Sequence, residues 1–190
     1  MRSPFDPDAL LRDLAASGGG GRFDIEIDRD GRWYYRGSAI ERIELVRLFA
    51  SVLRRDPQGA YWLVTPAEQG RIEVADVPFV LVRMTSEGEG RDRRLLFHSN
   101  LDDRTELTAA NPLVMRRQPD GKGAAPYLTV RDGLEGRLAR SVFYELADLA
   151  EEADGEEGVR RTGVWARGRF HPLDLFHEEV EHPPPEPGAS

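Results

Sequence analysis

Residues 61–82 read YWLVTPAEQGRIEVADVPFVLV. Runs of Val, Ile, Leu and aromatic residues alternate here with two turn-forming phrases, the pattern of short strands joined by tight connections. In Thr65-Pro66-Ala67-Glu68 the Thr hydroxyl can accept from the N–H three residues on, Pro66 stands where a missing N–H is harmless, and Glu68 can reach back to the Thr65 N–H. That is the spelling of a capping box with proline at the first helical position. Gly70 follows at once, so one capped turn should join a strand at 60–64 to a strand at 71–75. In Asp76-Val77-Pro78-Phe79 the proline holds Val77 extended and Asp76 can form an Asx turn, which pivots the chain into a strand at 79–84.

Upstream, residues 1–21 hold a short amphipathic pattern (Leu10, Leu11, Leu14) and the glycine run 18–21, an N-terminal helix on a flexible joint that we expect to dock on its own domain. Alternation at 23–28 predicts a half-buried strand, Asp30-Gly31 a hairpin turn, and 33–36 the returning strand. A helix is expected over 40–55, with Leu45, Leu48, Phe49, Val52 and Leu53 on its apolar face, Arg42 beside that face, and Arg54 and Arg55 complementing its C-terminal dipole. Downstream, strands are expected at 94–98, 104–108, 113–116 and 126–131, then a second helix over 134–153 that carries Glu145 into its apolar stripe. Strands near 160–166 and 168–171 close the fold, and the Pro-rich acidic tail 173–190 reads as disordered.

Laying Ile40 on Leu134 also superposes Glu41 on Glu135, Phe49 on Phe143 and Val52 on Leu146, with Arg36 and Arg131 one position out of register before a glycine. The expectation is an α+β chain of two small antiparallel-sheet-plus-helix units related by a repeated motif and packed together, the first at 22–92 and the second at 93–172.

Composition limits function. The 190 residues carry a formal charge of −8, which argues against nucleic acid as a partner, since phosphate binding needs a concentrated basic surface. Lys122 is the only lysine among 26 basic residues. The remaining arginines are suited to forked contacts with carboxylates and phosphates. With no cysteine there is no disulfide, thiolate metal site or cysteine nucleophile. No signal segment or long apolar run is present, so the reading is a cytoplasmic bacterial protein without a membrane span. His171, His177 and His182 recur among acidic residues, but two of them lie in the Pro-rich tail, so no metal and no cofactor is expected.

No established catalytic motif appears. Arg36 and Arg131 stand at matching strand-to-helix junctions, where helix N–H groups also point outward. Brought together, the two junctions would form a groove for a small anionic ligand or an acidic protein segment, with Arg42, Arg137 and Arg140 near it and Thr65 and Glu68 as further candidate contacts. A non-enzymatic binding or regulatory module is the leading expectation. The alternatives are an enzyme using Glu68, Asp76 or Glu145 as a base, and a scaffold that presents a strand edge or the N-terminal helix to a protein. Oligomeric state is not encoded in any pattern recognised here.

The phrases Asp30-Gly31-x-Trp33, Leu63-Val64-Thr65-Pro66-x-Glu68, Asp76-x-Pro78-Phe79, Pro126-Tyr127-Leu128-x-Val130-Arg131-x-Gly133 and Arg140-Ser141-Val142-Phe143-Tyr144 resemble a bacterial family known only as domain of unknown function 1285. The resemblance runs from Phe23 to Phe170. It implies a two-part α+β protein with repeated structural motifs, a suggested role in signalling and no assigned catalytic residues.

Overall fold

The computed structural model describes residues 21–66, 68–119, 121, 123–154 and 160–173. The expected N-terminal helix and the tail beyond 173 lie outside the described residues. Six strands form the first sheet: β1 (Gly21–Ile27), β2 (Trp33–Tyr35), β3 (Ser38–Ala39), β4 (Leu53–Arg55), β5 (Tyr61–Val64) and β6 (Gln69–Val74). Six more form the second: β7 (Phe79–Glu87), β8 (Arg94–Ser99), β9 (Arg104–Glu106), β10 (Val114–Arg117), β11 (Ala124–Arg131) and β12 (Leu134–Leu138). Helix α1 (Ile43–Ser51) lies between β3 and β4, and α2 (Arg140–Ala147) follows β12. A third, three-stranded antiparallel sheet holds β13 (Glu151–Asp154), β14 (Arg160–Ala166) and β15 (Arg169–Pro172).

The first sheet has the order β3-β2-β1-β6-β5-β4 and the second β9-β8-β7-β12-β11-β10. Counted one to six within each sheet, both read 3-2-1-6-5-4. Each is two antiparallel meanders joined where the first strand runs parallel to the sixth, β1 beside β6 and β7 beside β12. The repeat is therefore present, and each expected antiparallel sheet is a mixed one. The change of sheet falls in the Asp76-Val77-Pro78 pivot between β6 and β7, so the first unit ends before 79 and not at 92.

Both helices are shorter than expected, for local reasons. Arg36-Gly37 and Asp132-Gly133 have left-handed backbones (φ 47° and 73°, then 48° and 73°), the geometry of tight two-residue hairpin turns. The second of these turns sends Leu134 back as a strand, and Leu134, Gly136 and Leu138 alternate into the core. Gly136 packs closely there, since a Cβ would stand 3.0 Å from the side chains of both Leu81 and Val130 and one of them would have to shift by a few tenths of an ångström. Similar hairpin chemistry explains the likeness of 36–49 to 131–143; the equivalent parts of the duplicated sheets are others. At the end of α1 the chain turns into β4, and Arg54 Nη1 donates to the carbonyls of Ser51 and Leu53, so it does serve the helix C-terminus.

The first core lies between one face of the first sheet and α1. Phe23, Ile25, Ile27, Leu63 and Ile72 meet Val46, Phe49 and Ala50, while Trp33 stacks on Phe49 with centroids 6.3 Å apart. Leu48, expected inside, is 58 % exposed. The second core gathers Leu81, Leu95, Phe97, Leu128 and Leu138 under α2 (Val142, Leu146) and the third sheet (Val164, Ala166). Each fully buried Leu or Phe contributes about 1.5–3 kcal/mol.

Ion pairs also fasten the third sheet. Arg167 Nε lies 2.7 Å from Glu106 Oε1, Arg94 reaches the same carboxylate, and Arg91 lies over the Trp165 ring at 4.3 Å. Hydrogen bonds from Arg94 and Arg167 outweigh partial burial and hold the Glu106 carboxyl at about 2. Its folded pKa is thus below the unfolded value, so the stabilisation is complete above about 4.5 and is lost as pH falls toward 2. Denaturant midpoints of wild type and Glu106→Gln should differ most at neutral pH and converge between pH 5 and about 2.

Candidate functional site

The first sheet has one face in the core and one in solvent, and cross-strand register decides what the solvent face displays. Arg54 pairs with Trp62, Trp62 with Arg71, and Arg71 with Arg22. Directly opposed residues share a face. These four therefore form one row across β4, β5, β6 and β1, with Trp62 between Arg54 and Arg71. The indole is held in place: its Nε1–H donates to Asp56 Oδ2 at 2.8 Å, and the backbone N–H groups of Gln58 and Ala60 occupy Oδ1. That indole bond, the two backbone N–H groups and the charge of Arg71 hold the Asp56 carboxyl below its usual value.

Arg22 leans to Glu73, 3.2 Å away, whereas Arg71 is in no ion pair among the described residues. Two arginines directly opposed on neighbouring strands repel. That opposed pair is Arg22 on β1 and Arg71 on β6, and Arg22 relieves it by turning to Glu73. Beside the row lies a depression of about 310 Å³ lined by Arg54, Arg55, Asp56, Trp62, Val64 and Gln69. The next row on the same face is acidic, with Glu26 opposed to Glu73.

A second polar group of side chains lies where the two sheets meet. Asp76, 5 % exposed, accepts from the Tyr127 hydroxyl at 3.1 and 3.0 Å and lies 3.2 Å from Arg137 Nε. The Arg137 contact is a charge pair out of line for a hydrogen bond, so that buried Nε–H has no acceptor. Arg137 Nη2 donates to the Arg29 carbonyl at 2.6 Å. Glu135 accepts two 2.9 Å bonds from Arg116, whose guanidinium covers the Tyr127 ring at 3.9 Å, and a longer 3.3 Å bond from Arg55. Burial, with the Asp76 charge and hydrogen bond, pushes the Tyr127 hydroxyl up to about 12. The hydroxyl joins the two units, from Tyr127 on β11 to Asp76 after β6.

The residues singled out in the sequence are dispersed. Arg36 is exposed in the β2–β3 turn, its guanidinium 5.2 Å from the Tyr35 centroid. Arg131 is bound to Asp103 at 2.9 Å and to the Ala50 carbonyl at the end of α1 at 2.8 Å. The Asp132-Gly133 turn beside it shares a depression with Arg55, Asp56 and Gly59 at the β4 edge. Arg36 lies by the β3 edge, about 24 Å away across five strand spacings. The groove with an arginine at each corner is not formed. Arg42 is the extended residue before α1 and Arg140 the first residue of α2; both are exposed. Arg137, expected near the groove, is in the buried junction.

Thr65 and Glu68 close the β5–β6 hairpin: the Thr65 hydroxyl accepts from the Glu68 N–H at 3.1 Å, as the capping-box spelling requires. The Thr65 N–H goes to the Glu68 carbonyl, the bond that closes a hairpin between β5 and β6 and not the helical turn expected. Glu68, Asp76 and Glu145 do not converge. Glu68 and Asp76 flank opposite ends of β6, about 17 Å or more apart. Glu145 is exposed on α2, outside the apolar stripe expected for it.

Family comparison gives the same division as the sheets. The description "Domain of unknown function (DUF1285), N-terminal domain" matches residues 18–77, and "Protein of unknown function (DUF1285), C-terminal domain" matches residues 78–173. The chain belongs to the DUF1285 family. The crystal structure of a DUF1285 family protein from Silicibacter pomeroyi DSS-3 is similar at 36 % identity over 90 % of this chain and 96 % of that one, with a TM-score of 0.76. A DUF1285 family protein from Shewanella baltica OS155 shares the fold at 24 % identity over 66 % of this chain and 91 % of that one, with a TM-score of 0.52. No curated protein matches. Two of the DUF1285-like phrases meet in the structure, since Asp76 of Asp-x-Pro-Phe accepts from Tyr127 of Pro-Tyr-Leu. Among the described residues no helix is long and apolar enough to cross a membrane.

Proposed function

We propose that this DUF1285 protein is a cytoplasmic, non-enzymatic binding or regulatory module whose site for a small anionic ligand is the Arg54, Trp62, Arg71 row. The observation that carries this reading is the fixed indole of Trp62 flanked on its two neighbouring strands by Arg54 and Arg71, neither of them in an ion pair among the described residues. A rigid aromatic surface with adjacent cations loses little freedom when a ligand binds. Its small volume suits a small molecule, near the low end of ligand pockets. The separation of Glu68, Asp76 and Glu145 supports binding over turnover.

Calorimetric titration with pyrophosphate, citrate and benzoate at low ionic strength tests the proposal. Binding is expected, and it should weaken with added salt. Arg54→Ala/Arg71→Ala should lower affinity by about tenfold or more, since a hydrogen bond to a charged group contributes about 1.5–3 kcal/mol. Arg36→Ala/Arg140→Ala should leave it unchanged. Equal affinity in wild type and the Arg54/Arg71 variant would refute the assignment.

A further inference from the structure

Resting on that reading, we infer that the ligand class is a compact planar anion, an aromatic or heteroaromatic ring bearing one carboxylate or phosphate, and not an extended polyanion. Three features carry this. Asp56 fixes the indole plane through Nε1, so Trp62 offers a constant flat face. Val64, 37 % exposed, is two residues along the same strand face, and Gln69 is its cross-strand partner, so the depression beside the indole adds one aliphatic side chain and one amide to its charged lining of Arg54, Arg55 and Asp56. Arg54 and Arg71 stand on either side, two strand spacings or about 10 Å apart at the backbone, Arg54 with its Nη1 on the Ser51 and Leu53 carbonyls.

The acidic row bounds the site. Glu73 is two residues beyond Arg71 on the same face of β6, about 7 Å away, and Glu26 is opposed to it. A chain of phosphates that left the arginine row in that direction would meet these carboxylates. One negative group with its ring on Trp62 stays on the arginine row, where the one nearby carboxylate, Asp56, is already taken up by the indole N–H and two backbone N–H groups. Stacking on such a ring is worth roughly fivefold to a hundredfold in affinity, which an anion without a ring forgoes.

The test compares four probes by calorimetry on the full chain: 2-naphthoate, its neutral amide 2-naphthamide, pyrophosphate, and a twelve-nucleotide oligothymidylate. The inference predicts 2-naphthoate binding about tenfold or more tighter than each of the others. Trp62→Leu should lower 2-naphthoate affinity by about tenfold more than it lowers pyrophosphate affinity, and Trp62→Phe, which keeps a ring, should restore most of the difference. Pyrophosphate or the oligonucleotide binding as tightly as 2-naphthoate, with both still sensitive to Arg54→Ala/Arg71→Ala, overturns the planar-ligand inference and leaves the anion site standing. No binding by any probe overturns both.

Discussion

Asp76→Ala should destabilise the protein by about 3–5 kcal/mol, the usual cost of removing one partner of a buried ion pair. The carboxylate is 5 % exposed and meets the Tyr127 hydroxyl through both oxygens and the Arg137 guanidinium through one. Without it, Arg137, itself only 16 % exposed, keeps its charge in a site from which water is largely excluded, and the Tyr127 hydroxyl loses its acceptor. Equilibrium denaturation in urea measures the loss. In thermal melts it corresponds to about 10 °C for a chain of this size. Adding Arg137→Met should recover part of the loss, because the second substitution removes the stranded charge. A loss below about 1 kcal/mol for Asp76→Ala would mean that the junction between the sheets does not depend on this pair.

Gly163→Ala should be the second large effect, about 1–3 kcal/mol, with the damage concentrated in the third sheet. A Cβ at Gly163 would overlap the His171 backbone carbonyl and stand 2.6 Å from the Phe170 ring. The carbonyl belongs to the paired strand β15, so relief requires β14 and β15 to separate and no change of rotamer can supply it. Amide exchange should therefore accelerate in β13, β14 and β15 while β1 and β6 keep their protection. Uniform loss of protection across all three sheets, or none, would contradict this picture of a locally fastened third sheet.

Much of the architecture was legible before the structure. Alternation at 23–28 and the Asp30-Gly31 turn encode a strand and its hairpin, and the Thr65-to-Glu68 spelling encodes a tight connection between two strands, though as a hairpin turn and not the capped helical turn expected; local chemistry of this kind needs no knowledge of partners. The helix expected over 134–153 failed because Leu134, Leu138, Val142 and Leu146 also satisfy a helical period. The Asp132-Gly133 left-handed turn and the close approach at Gly136 decide the competition in favour of a strand. The parallel pairs β1–β6 and β7–β12 have no local signal, since each joins strands far apart in the chain.

The candidate site was less legible still. Arg22, Arg54, Trp62 and Arg71 are spread over fifty residues and become one row only through three separate strand registers. Their sole trace in the sequence is a polar or aromatic residue at alternate positions of half-buried strands, which is also how any solvated face is written. Asp76 could be seen as a turn residue, but its burial depends on a tyrosine fifty-one positions later.

The Arg54, Trp62, Arg71 row is the anion site only if a bound anion lies beside Trp62. The indole N–H resonances of Trp33, Trp62 and Trp165, assigned by single Trp→Phe replacements in a ¹⁵N-labelled sample, locate it directly. Trp33 is buried in the first core and Trp165 lies under Arg91. During titration with 2-naphthoate the Trp62 resonance should shift progressively to saturation while the other two stay in place. A stationary Trp62 resonance, with shifts confined to backbone amides around Arg36 or Arg131, would contradict it.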